Sequence, residues 1–282
     1  MIVRIGGVPE HFNLLWEMPY TREVFRKRGI IYHWQDFPGG TGAMSEALRN
    51  KQIDMAIMLT EGAIAAISGG DEFSIRLPFV ISPLIWGVFV NAKRPDKDLP
   101  DLHSARFAVS RMKSGSQLMA KFYAQREAGV VVNDDQFIVC QNIDGARNAL
   151  AHFTADYFLW EKYMTAIWVE NGEFRQISEV TAPWPAFLFV TRKNEFSDFG
   201  PIKESLKETV VNFYDGNIMD WKMILSDEFN LSAANAEHWL KRIKYYDGNT
   251  YWPDRIAAAT MIMKGHGMID HAAPALNTLI VT

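Results

Sequence analysis

The stretch Phe37-Pro-Gly-Gly-Thr-Gly-Ala-Met-Ser-Glu-Ala47-Leu48, running on to Asp54-Met-Ala-Ile-Met58, decides the fold because a version of it occurs twice. The second copy is Ile143-Asp-Gly-Ala-Arg-Asn-Ala149-Leu150, running on to Asp156-Tyr-Phe-Leu-Trp160. A single offset of 102 residues carries Ala47 to Ala149 and Asp54 to Asp156. Each copy reads as a helix closing on Ala-Leu, a short turn, an aspartate, and an apolar run of the length of a buried strand.

Working outward, a strand-like run precedes each copy, Ile30 to Phe37 in the first and Phe137 to Asn142 in the second. A further unit lies before each of these. Ile2-Val-Arg-Ile5 passes through Gly6-Gly7 into a helix from about Pro9. Arg106-Phe-Ala-Val-Ser110 passes through Ser114-Gly115-Ser116 into a helix with Leu118, Met119, Phe122 and Tyr123 on one face. Each half therefore reads β-α-β-α-β, which predicts an α/β fold of two similar lobes, each a mostly parallel sheet flanked by helices. Ligands of such sheets sit beyond the carboxyl ends of the strands, at the helix N-termini.

The 282 residues suffice for two such lobes. The first is expected over 1–84, the second over 85–192, and a helical continuation of the first over 193–282. Leu84 to Asn91 and Pro185 to Thr191 are the strands expected to cross between lobes, and the polar, proline-marked run from Ala92 to Pro100 reads as a loop. Beyond Lys193, helices are expected from Pro201 to about Tyr214, from Ile218 to Leu225, from an N-cap at Ser232 to about Tyr245, and from Pro253 to Met263. Leu276 to Val281 reads as a strand or a packed tail.

Composition excludes several classes. Hydrophobic residues make up 48% and charged residues 22%, as in a protein with packed cores, and a net charge of −4 without basic runs leaves no footprint for nucleic acid. The longest apolar run, Leu84 to Val90, is too short to span a bilayer. Cys140 is the single cysteine, so no internal disulfide forms, and it reads as a small buried hydrophobe. The chain opens Met-Ile-Val-Arg-Ile, already strand-like and without the marks of a secretory leader. The expected location is periplasmic if a leader has been removed and cytoplasmic if Met1 is the native start.

The candidate ligand contacts lie where the strands end. Gly40 and Thr41 belong to a glycine turn opening a helix, where free N–H groups favour an oxyanion or a polar ring edge, although a tight turn alone also explains the glycines. Its pattern fails as a dinucleotide fingerprint, since Ser45 stands where a third glycine is needed. Ser114, Gly115 and Ser116 form the counterpart, with Gln117 at capping-box spacing as a purely structural alternative. Thr60 and Glu61 follow one strand, and Trp160 and Glu161 end its twin. The acids can accept from an amine or cap a helix, and Trp160 and Trp184 can stack on a flat ligand or fill a core. His11 would point into the cleft or serve as a structural imidazole. Arg111 and Lys113 could attract an anion or face solvent.

No metal-ligand spacing, Walker loop or nucleophile elbow occurs, and the seven histidines are scattered, so no metal or cofactor is expected. An enzyme is the less favoured reading, with His11 and Glu61 the only acid–base pairing to nominate.

These residues also carry a resemblance. Gly39 to Met44, Asp54 to Glu61, Ser82 to Gly87, Ser110 to Met119, Asp156 to Glu161 and Pro183-Trp-Pro185 resemble type II periplasmic binding proteins, in the branch of aliphatic sulfonate, nitrate and taurine binding proteins and fungal thiamine-pyrimidine synthesis proteins. The resemblance implies a hinged two-lobed fold with two crossover segments, closing on a small polar or heteroaromatic molecule. It implies ligand contacts at Gly40 and Thr41, at Thr60 and Glu61, and from Ser114 to Ser116, and an ABC permease as partner. The alternative is a cytosolic enzyme or sensor on the same scaffold in cofactor or pyrimidine metabolism. The cysteine-rich iron-site motif of the fungal proteins is absent, which argues against that chemistry.

Overall fold

In the computed structural model, which describes residues 1–95, 99–216, 218–270 and 279–281, the chain forms two five-stranded sheets of the same design. The first half supplies β1 (Ile2–Gly7), α1 (Pro19–Lys27), β2 (Ile31–Asp36), α2 (Gly40–Arg49), β3 (Met55–Leu59), α3 (Thr60–Ser68), β4 (Phe73–Val80) and β5 (Ile85–Asn91). The second supplies β6 (Phe107–Val109), α4 (Gly115–Ala128), β7 (Phe137–Val139), α5 (Ile143–Ala151), β8 (Tyr157–Glu161), α6 (Ala166–Glu170), β9 (Phe174–Thr181) and β10 (Phe187–Arg192). Strand order is β2-β1-β3-β10-β4 in one sheet and β7-β6-β8-β5-β9 in the other.

Each half thus lends one strand to the other's sheet. β5 runs antiparallel between β8 and β9, and β10 runs antiparallel between β3 and β4. Both are buried along nearly their whole length, which is why they read as unbroken apolar runs rather than alternating ones. The crossings themselves pair: the Ala182 amide donates to Leu84 O at 3.2 Å and the Ala186 amide to Ser82 O at 3.2 Å. Since β10 lies in the first sheet, the return from the second sheet occurs before Phe187, earlier than the expected boundary at 193.

The duplication extends to side chains. Asp54 accepts the Arg4 backbone N–H at 2.9 Å and its guanidinium at 2.6 and 3.0 Å. At the same offset, Asp156 accepts the Arg106 backbone N–H at 2.9 Å, with Arg94 adding a bond at 3.0 Å. Both aspartates therefore seal the start of a strand against its neighbour. The turns before them also match, with Lys51 and Phe153 both in the left-handed region at φ 56° and 54°.

Three elements depart from expectation. His11–Trp16 forms a buried 3₁₀ turn, and the helix starts only at Pro19, whose ring holds Met18 extended. β7 stops at Val139 because Gln141 turns left-handed at φ 67° and Asn142 caps α5, its side chain accepting the Gly145 N–H at 2.9 Å. α8 (Ile218–Phe229) runs a turn past Leu225. α7 (Gly200–Asp215), α9 (Ala233–Arg242) and α10 (Pro253–Gly265) follow the sequence reading, with Ser232 capping α9. They pack on the first sheet: α7 against α1 and α10 against α3, with Tyr245 bridged to Val80. Of the expected final strand, 276–278 lie outside the described residues, while Ile280 forms a bridge to Ile75. No helix among the described residues is long and apolar enough to cross a membrane.

Candidate functional site

The strand ends of both sheets open on one cavity of about 350 Å³. From the first lobe its wall takes Glu10, the glycine turn with Gly40 and Thr41, Met44, Leu59, Glu61 and Phe187; from the second come Trp86, Ser110 to Ser116 apart from Met112, Asn142, Trp160, Glu161 and Trp168. The sequence accounts for the backbone here. Gly40 adopts φ 63°, a conformation a side chain would strain by roughly 1–2 kcal/mol. Ser114 starts α4 by accepting the Gln117 N–H at 3.3 Å.

Eight of the expected contacts lie in this wall: Gly40, Thr41, Glu61, Ser114, Gly115, Ser116, Trp160 and Glu161. Three stand elsewhere. His11 is fully buried behind it, boxed by Phe12, Trp239, Phe229 and Tyr163 with ring centroids 4.4, 4.9, 6.1 and 6.2 Å away. Burial pushes its pKa down to about 3, so the ring is neutral, and it forms no pair with Glu61. The tight 3₁₀ turn causes this, drawing all six of its residues into the core. Thr60 is also fully buried and donates its hydroxyl to Pro185 O, which ties the start of α3 to the returning chain. Trp184 is buried beneath the wall rather than in it, and its indole N–H donates to Glu61 Oε2 at 3.0 Å.

The serine turn is largely occupied with itself. Ser116 Oγ accepts the Ser110 N–H at 3.1 Å and lies 2.9 Å from Ser114 Oγ. The Lys113 N–H donates to Gln117 Oε1 at 2.6 Å, so the capping-box reading holds in a shifted form, with Lys113 rather than Ser114 the donor. Lys113 stands at the rim, and the partly accessible Arg111 brings its guanidinium to the glycine turn, 3.9 Å from where a Cβ at Gly42 would lie, with burial lowering its pKa.

The acids are different. Glu61 and Glu161 are each 4% exposed, and each has one oxygen engaged and one without a partner among the described residues. Glu161 Oε2 accepts the Met164 N–H at 2.7 Å. Burial raises the pKa of both, and for Glu161 the nearby Glu10 adds to the rise. Burial also pushes Glu10 up to about 7. Across the cleft from Glu61 stands Gly115, where an added Cβ would lie 2.7 Å from Glu61 Oε1 and 3.1 Å from the Trp86 ring. The two lobes meet closely at that point.

Sequence reasoning missed Glu10, Trp86, Trp168 and Asn142. Asn142 carried a signal, since its spacing to Gly145 is that of an N-cap. Trp86 was hidden in an apolar run that reads as core, Glu10 was passed over for its neighbour His11 after the first strand, and Trp168 lies where nothing in the pattern marks a strand end.

Residues 86–180 match the family described as Ca3427-like PBP. No curated protein sequence matches the chain. Among solved structures, the Candida albicans CA3427 gene product, described as having the generic periplasmic binding protein fold, is 24% identical, with all of this chain and 96% of that one covered at a TM-score of 0.88. The alkanesulfonate-binding protein SsuA from Xanthomonas axonopodis pv. citri, bound to MOPS, is 14% identical with 99% and 97% covered at 0.76. The aliphatic sulphonate binding protein SsuA from Escherichia coli is 16% identical with 96% and 94% covered at 0.72. The chain has the two-lobed α/β fold of periplasmic binding proteins.

Proposed function

We propose that this chain is a solute-binding protein that captures one small polar or heteroaromatic molecule between its lobes by hinge closure. It would deliver that molecule to an ABC-type importer or descend from a protein that did. The observation that carries this reading is the 350 Å³ cavity whose wall is drawn from strand ends of both sheets, a size suited to a small organic ligand. The paired crossings between Ser82 and Ile85 and between Ala182 and Phe187 are the two segments about which the lobes would turn.

The test combines mass spectrometry of small molecules released from the purified protein with small-angle scattering of stripped and reloaded protein. A released molecule that rebinds and contracts the particle is the expected result. A protein that carries nothing, binds nothing in a metabolite screen and keeps one radius throughout would overturn the proposal.

A further inference from the structure

Three polar atoms in the cavity wall are buried without a partner among the described residues: Glu61 Oε1, Glu161 Oε1 and Trp86 Nε1. A buried polar atom left unpaired is costly, so a wall that keeps three of them suits a guest that satisfies them. Two are acceptors when their carboxyls are ionised, and one is a donor only. The carboxyls stand in opposite lobes, Glu61 in the first turn of α3 and Glu161 at the end of β8. Glu61 is held by Trp184 and Glu161 by the Met164 amide, so both free oxygens are fixed in direction.

We infer that the ligand is a flat molecule rich in N–H donors, gripped between the Glu61 and Glu161 carboxylates, one from each lobe, with Trp86 N–H meeting an acceptor between or beside those donors. This rests on the proposed role of the cleft in ligand capture and adds the chemistry of what is captured. The helix starts pull the other way, since the positive ends of α2 and α4 favour an oxyanion. At α4 the Ser114 side chain already takes one of the amides and one hydroxyl hydrogen is spent between Ser114 and Ser116, whereas α2 opens without a side-chain cap, so an anionic probe belongs in the test. Lys113 stands at the exposed rim, where water screens it, but the Arg111 guanidinium reaches the glycine turn of the other lobe, 3.9 Å from where a Cβ at Gly42 would lie, and among the described residues is the one cation there that an oxyanion could use.

Proton linkage follows from the same arrangement. Burial raises both carboxyls and pushes Glu10, which also lines the cavity, up to about 7; Glu10 adds negative charge beside Glu161 once ionised, and Lys162 offsets part of it. A donor-rich guest requires both groups ionised, so its binding releases protons and strengthens as pH rises through their titration. An oxyanion requires them protonated and would bind better as pH falls.

The probes are benzamidine, which stays cationic, 2,6-diaminopyridine, which places an acceptor between two donors, and benzenesulfonate, a flat anion. Calorimetry is run on wild type, Glu61→Gln and Glu161→Gln between about pH 5 and pH 8. The expected result is binding of at least one of the two donor probes, benzamidine affinity rising with pH if benzamidine binds, and a loss of about tenfold or more in each variant, the scale of one charge-assisted hydrogen bond. Circular dichroism confirms that the variants are folded. Benzenesulfonate binding more tightly, or gaining affinity as pH falls, would overturn the carboxylate grip while leaving ligand capture in the cleft intact. Failure of both donor probes to bind would overturn it too, and a molecule released from the purified protein then shows whether the cleft itself is used.

Discussion

Four acidic residues divide by what meets them. Asp54 and Asp156 are met by arginines and backbone amides, and Glu61 and Glu161 face a cavity with one oxygen each unmet among the described residues. For Asp54, burial would raise the carboxyl, but the hydrogen bonds and charge of Arg4, with Arg192 further off, outweigh it and hold the pKa below the usual range. Its contribution is therefore complete at neutral pH and is lost as pH falls through that depressed value. Asp54→Asn should cost about 1–2 kcal/mol in urea unfolding at pH 7, with the gap to wild type closing in acid. Glu161 has the opposite sign: its raised pKa means that ionising it in the empty fold costs stability as pH rises above the unfolded value. Glu161→Gln, whose amide oxygen can still accept the Met164 N–H, should melt higher than wild type at pH 8 and equally near pH 4 in thermal scans without ligand. The aspartates were legible because the repeat fixes them. Their partners Arg4 and Arg106 stand at the same offset but went unread, since each pairs with an aspartate 50 residues away and such a tertiary contact leaves no local pattern.

At the scale of elements, the helix–turn–strand unit was read correctly twice because its period and its Ala-Leu ending are local signals. The turn was read, but not its left-handed residue. Lys51 and Phe153 occupy left-handed positions where glycine is the unstrained choice. Lys51→Gly should raise stability by about 1 kcal/mol, measured by chemical denaturation. Phe153→Gly should gain less, because the Arg94 guanidinium lies 5.1 Å from the Phe153 ring centroid and that contact would go. The 3₁₀ turn at His11–Trp16 was illegible for a different reason. Its residues are all buried, so no face distinguishes inside from outside and the helical period vanishes.

For the whole molecule, the exchange of β5 and β10 makes the lobes unequal in sequence. The second sheet comes from one continuous stretch, β5 through β9, and that stretch nearly coincides with the 86–180 family match. The first sheet needs β10, so residues 1–84 lack the strand that pairs with both β3 and β4. A fragment spanning 84–182 should therefore unfold cooperatively in urea, whereas 1–84 alone should show no cooperative transition. A non-cooperative 84–182 would count against an independently folding second lobe. Two crossings were expected from the apolar runs, but which sheet each strand joins was not, since pairing partners are tertiary and leave no mark in a run buried on both sides.

The lent strand also sets an order of assembly during synthesis. As the nascent chain leaves the ribosome, β3 and β4 emerge with a gap between them that only residues 187–192 can fill, after the whole of the second sheet has been made. The N-terminal portion must wait, with two exposed edges, while its younger twin closes first. Maturation therefore runs backwards relative to translation, and holdase chaperones would find their target in the earliest part of the polypeptide rather than the latest.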